Sequence, residues 1–457
     1  MAWPIVAMAM MTAPISGLTF ISVPGMVVTK GYGYLQMCMG FVVGYFLIGW
    51  FLVPLFYKHN IISIYSFLEN RFGISTYKTG AWLFLISEIL GIGVRFMVVC
   101  TVLQLLVFAP LNLPFVLNVG ITMILIWFYT AKGGVKSVIW SDLIKSIILI
   151  GSVIICFIFI SKELNLTISN LPAEISAHSS SRIFHFDDIT DSSYFWKQFI
   201  TGIFLVIAMT GLDQDLMQRI LACKDYKGSR KNLAVSGIMQ FFVIALFLVL
   251  GTLLTMYMVK YNIPMPNKTD DIFATVAFHQ ALPEIVGILF VLGLVSSSYS
   301  SVGSALTSLT TSFTVDILEG TKKYNEEVLK RKRKLVHAVM AILMGIVIIG
   351  SYHLNNQDAI SALFTLASYT YGPILGLFAF GIFSHRKVET KFIPFICISS
   401  PFISWIFSYC IKTYMGYNTG YEIFLFNALF TFIGLYLLPK EAPKYDEISD
   451  SLSISEE

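Results

Sequence analysis

Twelve stretches of this chain stay apolar for about 20 residues, the length a helix needs to cross a hydrocarbon core of roughly 30 Å. They run over 3–28, 33–57, 80–108, 112–131, 138–161, 195–221, 232–259, 280–318, 335–352, 358–384, 391–411 and 421–438. Lipid offers no partner to an open strand edge, so runs of this kind predict an all-α polytopic membrane protein with about twelve transmembrane helices. The run over 280–318 exceeds one straight crossing, and its ends are expected to project beyond the bilayer.

Composition closes the other routes. Of 457 residues, 56% are hydrophobic and only 13% are charged, against roughly 25% charged in soluble chains. That excludes a soluble enzyme, a nucleic-acid binder and a disordered chain. The six cysteines form no CxxC pair, so neither a zinc site nor a disulfide framework is expected.

Lys and Arg set the sidedness. The loops after the even-numbered spans, with the tail, hold 22 of them, including Arg219, Lys322 and Lys323, whereas the opposite side holds 7. Both termini are therefore expected in the cytoplasm, with the chain multi-pass in the cell (inner) membrane. The first span begins within a few residues of Met1 without a basic n-region or a cleavage site, so it is not read as a signal peptide.

Two spans carry helix-breaking chemistry. In TAPISGLTFISVPG (12–25), Pro14 removes a backbone donor and Gly17 relaxes the chain. The carbonyls of Thr12 and Ile15 are then expected to lack helical partners, beside the hydroxyls of Ser16, Thr19 and Ser22. In MTGLDQDLMQR (209–219), Thr210, Gly211, Asp213 and Gln214 are poor lipid-facing residues. Breaks at the first helix of each set of five point to inverted repeats around a midplane site.

Polar residues gather near those breaks. In VSSSYSSVGSALTSLTTSFTVD (295–316), Ser297, Ser300, Ser301, Ser304 and Ser308 follow helical spacing and share a face. Such hydroxyls can bond their own helix or aid close packing. A stripe this dense opposite freed carbonyls instead suits oxygen ligation of Na⁺. Asp142 is an intramembrane carboxylate, either on a cation pathway or paired with Lys145 one turn on. Arg95 must face the interior; it holds a helix C-terminus, Asp142 or a substrate carboxylate. In SYTYGP (368–373), Gly372-Pro373 is expected to loosen the helix, and Tyr369 and Tyr371 either close over a solute or pack. YSFLENRFG (65–73) is read as a surface helix with a Gly stop.

Together, APISGLTFISVPG, IYSFLENRFG, GGVKSVIWSD, LDQDLMQR and SSYSSVGSALTSLTTSFTVDI, in that order and spacing, resemble the sodium/solute symporter family, which includes bacterial galactose, proline and sialic acid carriers. The resemblance implies the leucine-transporter-type fold: a five-plus-five inverted repeat, two extra C-terminal helices and usually a leading helix, which is missing here. It divides the chain into a first repeat (1–161), an extracellular loop (162–194), a second repeat (195–384), two additional helices (385–438) and a cytoplasmic tail (439–457). It also implies a sodium site from carbonyls matching Thr12 and Ile15, a backbone oxygen matching Ser297 and hydroxyls matching Ser300 and Ser301. Some members bind a second cation at positions matching Asp142, Ser300, Gly303 and Ser304; Gly303 has no hydroxyl to offer. For solute, Ser16, Thr19 and Arg95 match the sialic acid carriers, with Thr210 and Tyr369 added as neighbours. Sugar carriers place polar residues where this chain has Pro14 and Cys38, and an inner gate aromatic where it has Met209, which argues against a hexose.

The expected function is sodium-coupled import of a small polar organic solute, possibly carboxylate-bearing, by alternating access. A proton-coupled carrier using Asp142 and a carrier-like membrane sensor are the alternatives. Na⁺ is the co-transported ion; the solute and the bilayer are the partners. No enzyme chemistry, organic cofactor, nucleic acid or obligatory oligomer is expected.

Overall fold

The computed structural model describes residues 1–58, 65–130, 135–167, 169–354 and 359–439, with side chains except at 135–138 and 321. Lys132, Lys440, Lys444, the side chain of Lys136 and the tail over 440–457 lie outside it. The described helices are α1 (Trp3–Thr12), α2 (Gly17–Lys30), α3 (Tyr34–Leu47), α4 (Val53–Lys58), α5 (Ser66–Phe72), α6 (Ile74–Leu103), α7 (Phe115–Thr130), α8 (Val135–Glu163), α9 (Leu171–Ala177) and α10 (Phe195–Val206). After these come α11 (Gln214–Leu221), α12 (Tyr226–Lys260), α13 (Ile272–Ala277), α14 (Glu284–Ser312), α15 (Gly320–Lys323), α16 (Glu326–Leu354), α17 (Ala359–Phe383), α18 (Ile393–Met415) and α19 (Ile423–Leu437). Each of the twelve apolar runs falls on a helix or a helix pair. By length and composition alone, eight helical stretches among the described residues suffice to cross a bilayer, and the bent pair Phe195–Gly211 and Gln214–Leu221 makes a ninth. Three others, Trp3–Thr12, Phe115–Thr130 and Ile423–Leu437, are apolar but shorter. The chain is a multi-pass membrane protein.

The pairing of helices displays the repeat. Where α1 packs on α12, α3 packs on α10; where α8 packs on α14, α6 packs on α17. Exchanging the first five spans with the next five maps each pair onto the other, as an inverted repeat requires. The helices α18 and α19 pack outside this core against α17. Together α14 and its terminal π-turn span about 50 Å at 1.5 Å per residue, longer than the hydrocarbon core.

Three local details correct the sequence reading. First, α17 runs unbroken through Pro373. Proline deprives the carbonyl four residues back of its donor, and here Asn427 of α19 supplies one: its Nδ2 donates to the Tyr369 and Ser368 oxygens at 3.0 and 3.1 Å. Gly372 permits this approach, because a Cβ there would fall 2.5 Å from Asn427 Nδ2. Second, α5 ends at Gly73 (φ +88°), but it is not merely superficial. Tyr65 and Leu68 are fully buried, and the Tyr65 hydroxyl donates to the Leu212 carbonyl at 3.5 Å. Third, Arg219 is not a loop cation. A 76° bend turns α11 back into the protein and leaves Arg219 buried.

Candidate functional site

Both breaks form as backbone physics demands. The first helix stops at Thr12, residues 13–16 are non-helical, and α2 restarts at Gly17. Gly17 is obligatory: a Cβ would lie 2.0 Å from Ser298 Oγ of α14 and 2.9 Å from Val99 Cγ2. The Ile15 N–H donates to the Thr12 carbonyl at 3.0 Å, a turn bond in place of a helical one. Among the described residues no backbone N–H donates to the Ile15 carbonyl. At the second break, α10 ends in a π-turn over Ile207–Gly211. Such turns recur at functional sites. Asp213 then caps α11, its Oδ1 accepting from the Leu216 N–H at 3.0 Å.

The breaks flank one cavity of about 110 Å³. Ile15, Ser16 and Thr19 line it from the first break and Thr210, Asp213 and Asp215 from the second. Arg95, Glu88 and Ser301 add to its polar lining, with Tyr34, Tyr45, Arg219 and Gln240. Two helix amino ends and two carboxyl ends therefore meet at its walls, with partial charges that favour anions and cations respectively. Of the expected solute residues, Ser16, Thr19, Arg95 and Thr210 come together here; Tyr369 does not. It lines a second cavity, a vestibule of about 900 Å³ that Lys30, Ser361 and Tyr421 also line. Tyr34 and Phe364, ring centroids 6.0 Å apart, border both cavities and form the partition. Away from both cavities, Lys78–Glu319 at 2.5 Å, Lys322–Glu69 at 3.1 Å and Arg71 donating to the Ser384 carbonyl join helix ends and loops. Hydrogen bonds from Lys78 and Lys323 hold the Glu319 carboxyl below its usual range.

Within the cavity, Arg95 makes no hydrogen bond or ion pair with the described residues. Glu88 accepts weakly from the Tyr371 hydroxyl at 3.5 Å. The sequence reading passed over Glu88, although an acid two turns before Arg95 in an apolar run shares its face.

The serine stripe divides. Ser297 and Ser301 donate inward to the Leu294 and Ser297 carbonyls, both at 2.9 Å, which leaves their hydroxyl lone pairs for another ligand. Ser300 instead donates to Asp142 Oδ1 at 2.7 Å. The principal partner of Asp142 is neither Lys145 nor Arg95 but Arg219, whose Nη1 lies 2.5 Å from Oδ2. The same guanidinium reaches Asp215 at 2.6 Å and Ser304 Oγ, so it stands between Asp142 and Ser304, where a second cation was expected. At the main position, the Thr12 hydroxyl bonds Ser146, which also donates to the Met8 carbonyl at 3.0 Å. Its neighbour Lys145 places Nζ 3.2 Å from Ser301 Oγ.

Two half-helix breaks in matching repeats, around a polar cavity that Tyr34 and Phe364 part from a larger one, are the arrangement of a secondary carrier. The model of the sodium:solute symporter family matches residues 1–390. The chain belongs to that family, and its activity is sodium-coupled symport of a small organic solute. It is 25% identical over 404 residues to a sodium/sialic acid symporter, NanT, of Aliivibrio fischeri, covering 86% of this chain and 77% of that one. To the sodium/sialic acid symporter SiaT of Proteus mirabilis it is 25% identical over 389 residues, covering 81% and 75%. Its fold matches that of a substrate-bound, outward-open Na⁺-coupled sialic acid symporter with a TM-score of 0.81 at 20% identity, over 96% of this chain and 91% of that one.

Proposed function

We propose that the chain imports a carboxylate-bearing solute with sodium into a bacterial cell across the inner membrane, both termini facing the cytoplasm. The observation that carries the solute class is Arg95, a guanidinium on the cavity wall with no ion-pair partner among the described residues. A guanidinium at membrane depth with no carboxylate in ion-pair contact can take up an anion when one is offered, and its fork suits a carboxylate bidentately. Ser16, Thr19 and Thr210 offer hydroxyls to the rest of the solute. The sialic acids named for two relatives carry such a carboxylate.

Sodium in this reading takes the carbonyls of Thr12, Ile15 and Ser297 and the hydroxyls of Ser300 and Ser301. Bound between the first break and α14, it favours the state whose cavity faces the vestibule and so preorganises the solute site. The test is uptake by proteoliposomes, with Na⁺ replaced by K⁺ or choline, across labelled sialic acids, monocarboxylates, amino acids and neutral sugars. Wild type should accumulate a carboxylate only with sodium. Arg95→Ala should weaken carboxylate uptake at least tenfold and leave neutral solutes alone; equal loss of both would overturn the solute class.

A further inference from the structure

Lys145 is 2% exposed and lies among helices, where an ammonium is costly unless oxygens surround it. Its expected partner, Asp142, does not account for its position. The nearer Asp142 oxygen is 4.0 Å from Nζ, already accepts from Ser300, and belongs to a carboxylate whose other oxygen is held by Arg219. Nζ instead donates to Ser301 Oγ, at 3.2 Å. On the same turn of α8, Ser146 bonds Thr12, the last residue before the first break. On the other side of the break, Gly17 abuts Ser298 of α14. The ammonium thus sits on the serine stripe of α14, carried by a helix that packs on both α1 and α14.

A sodium ion carried by Ser301 and the first break would share that hydroxyl oxygen. We propose that Lys145 is a tethered surrogate for the transported ion: its ammonium and Na⁺ compete for Ser301, and sodium enters only as the ammonium leaves. The proposal rests on the reading that sodium binds at Ser301. Two unit positive charges sharing one set of oxygens in a low-dielectric interior repel strongly, so joint occupancy is excluded. The four-carbon lysine stem is flexible, and Asp142 Oδ1, which accepts from Ser300, has a second lone pair for the withdrawn ammonium. Sodium arrival then delivers a second cation to the carboxylate that already anchors Arg219 of α11, the half-helix beyond the other break. The surrogate holds the cavity together between cycles and sets how much sodium is needed to open one.

The experiment titrates Na⁺ at constant ionic strength, with choline as the replacing cation, on purified full-length protein. Sodium-dependent thermal stabilisation and half-saturating sodium for uptake are read in parallel. Lys145→Gln and Lys145→Met should each lower half-saturation at least tenfold, while Lys145→Arg, which retains the charge, should not. Ser301→Ala should raise it. If Ser301→Ala raises half-saturation but neither neutral variant lowers it, the surrogate role is overturned and the sodium site stands. If Ser301→Ala changes nothing, both fall together. The stabilisation readout needs no transport, so an inactive variant still decides the matter.

Discussion

Arg219 and Asp142, 77 positions apart, meet at 2.5 Å and join the half-helix beyond the second break to α8 of the first repeat. Both are almost fully buried. Stripping one member from a buried pair leaves an uncompensated charge and costs about 3–5 kcal/mol, whereas removing both costs much less. Arg219→Met should therefore lower the melting temperature more than Asp142→Asn/Arg219→Met does. Thermal melts in detergent check this; additive losses would show that the pair is not a unit.

Gly17 is where α2 seats against α14. Gly17→Ala puts a methyl against the Ser298 hydroxyl, and overpacking of this kind costs about 1–3 kcal/mol. The shift falls on the break itself, so uptake should fall more than stability. Adding Ser298→Ala should restore part of the uptake, measured as initial rate at saturating sodium.

Asn427 and Pro373 form a compensating pair. Asn427→Ala should cost about 1–3 kcal/mol, because the Tyr369 carbonyl then has no donor in a buried setting. Pro373→Ala restores a backbone N–H four residues on, so Asn427→Ala/Pro373→Ala should be more stable than Asn427→Ala alone. Comparison of the two melting temperatures decides it.

Tyr34 and Phe364 separate the central cavity from the vestibule. Phe364→Ala should thin that partition and raise the half-saturating solute concentration severalfold, since a gate retains solute until the carrier closes. The sodium half-saturation should stay within about twofold, because the Phe364 side chain offers no oxygen to a cation. Parallel titrations of solute and sodium distinguish a gate from a general defect.

The long-range plan was legible because lipid permits so few solutions. Apolar run length located the helices, and Pro14 with Gly17, then Thr210 with Gly211, located both breaks. What sequence could not show was the aim of each polar group. Five serines at helical spacing look alike, yet Ser301 turns back to its own helix while Ser300 donates to Asp142. Arg219 looked like a loop cation because it follows an apolar run, and only the bend of α11 brings it inside. Pro373 looked like a kink because its remedy, Asn427, sits 54 residues downstream on another helix. Tyr369 follows the same rule: sharing α17 with cavity residues does not place its ring with theirs.

The four helix ends at the cavity wall have a consequence beyond any one side chain. Their polarity is written in peptide groups, which no point substitution deletes, so the field felt by a passenger outlasts changes in the amino acids that line it. A lineage can therefore exchange Arg95, Glu88 or the neighbouring hydroxyls for other chemistry and still inherit a berth for a dipolar cargo. Backbone topology makes the berth, and the replaceable lining decides who travels in it.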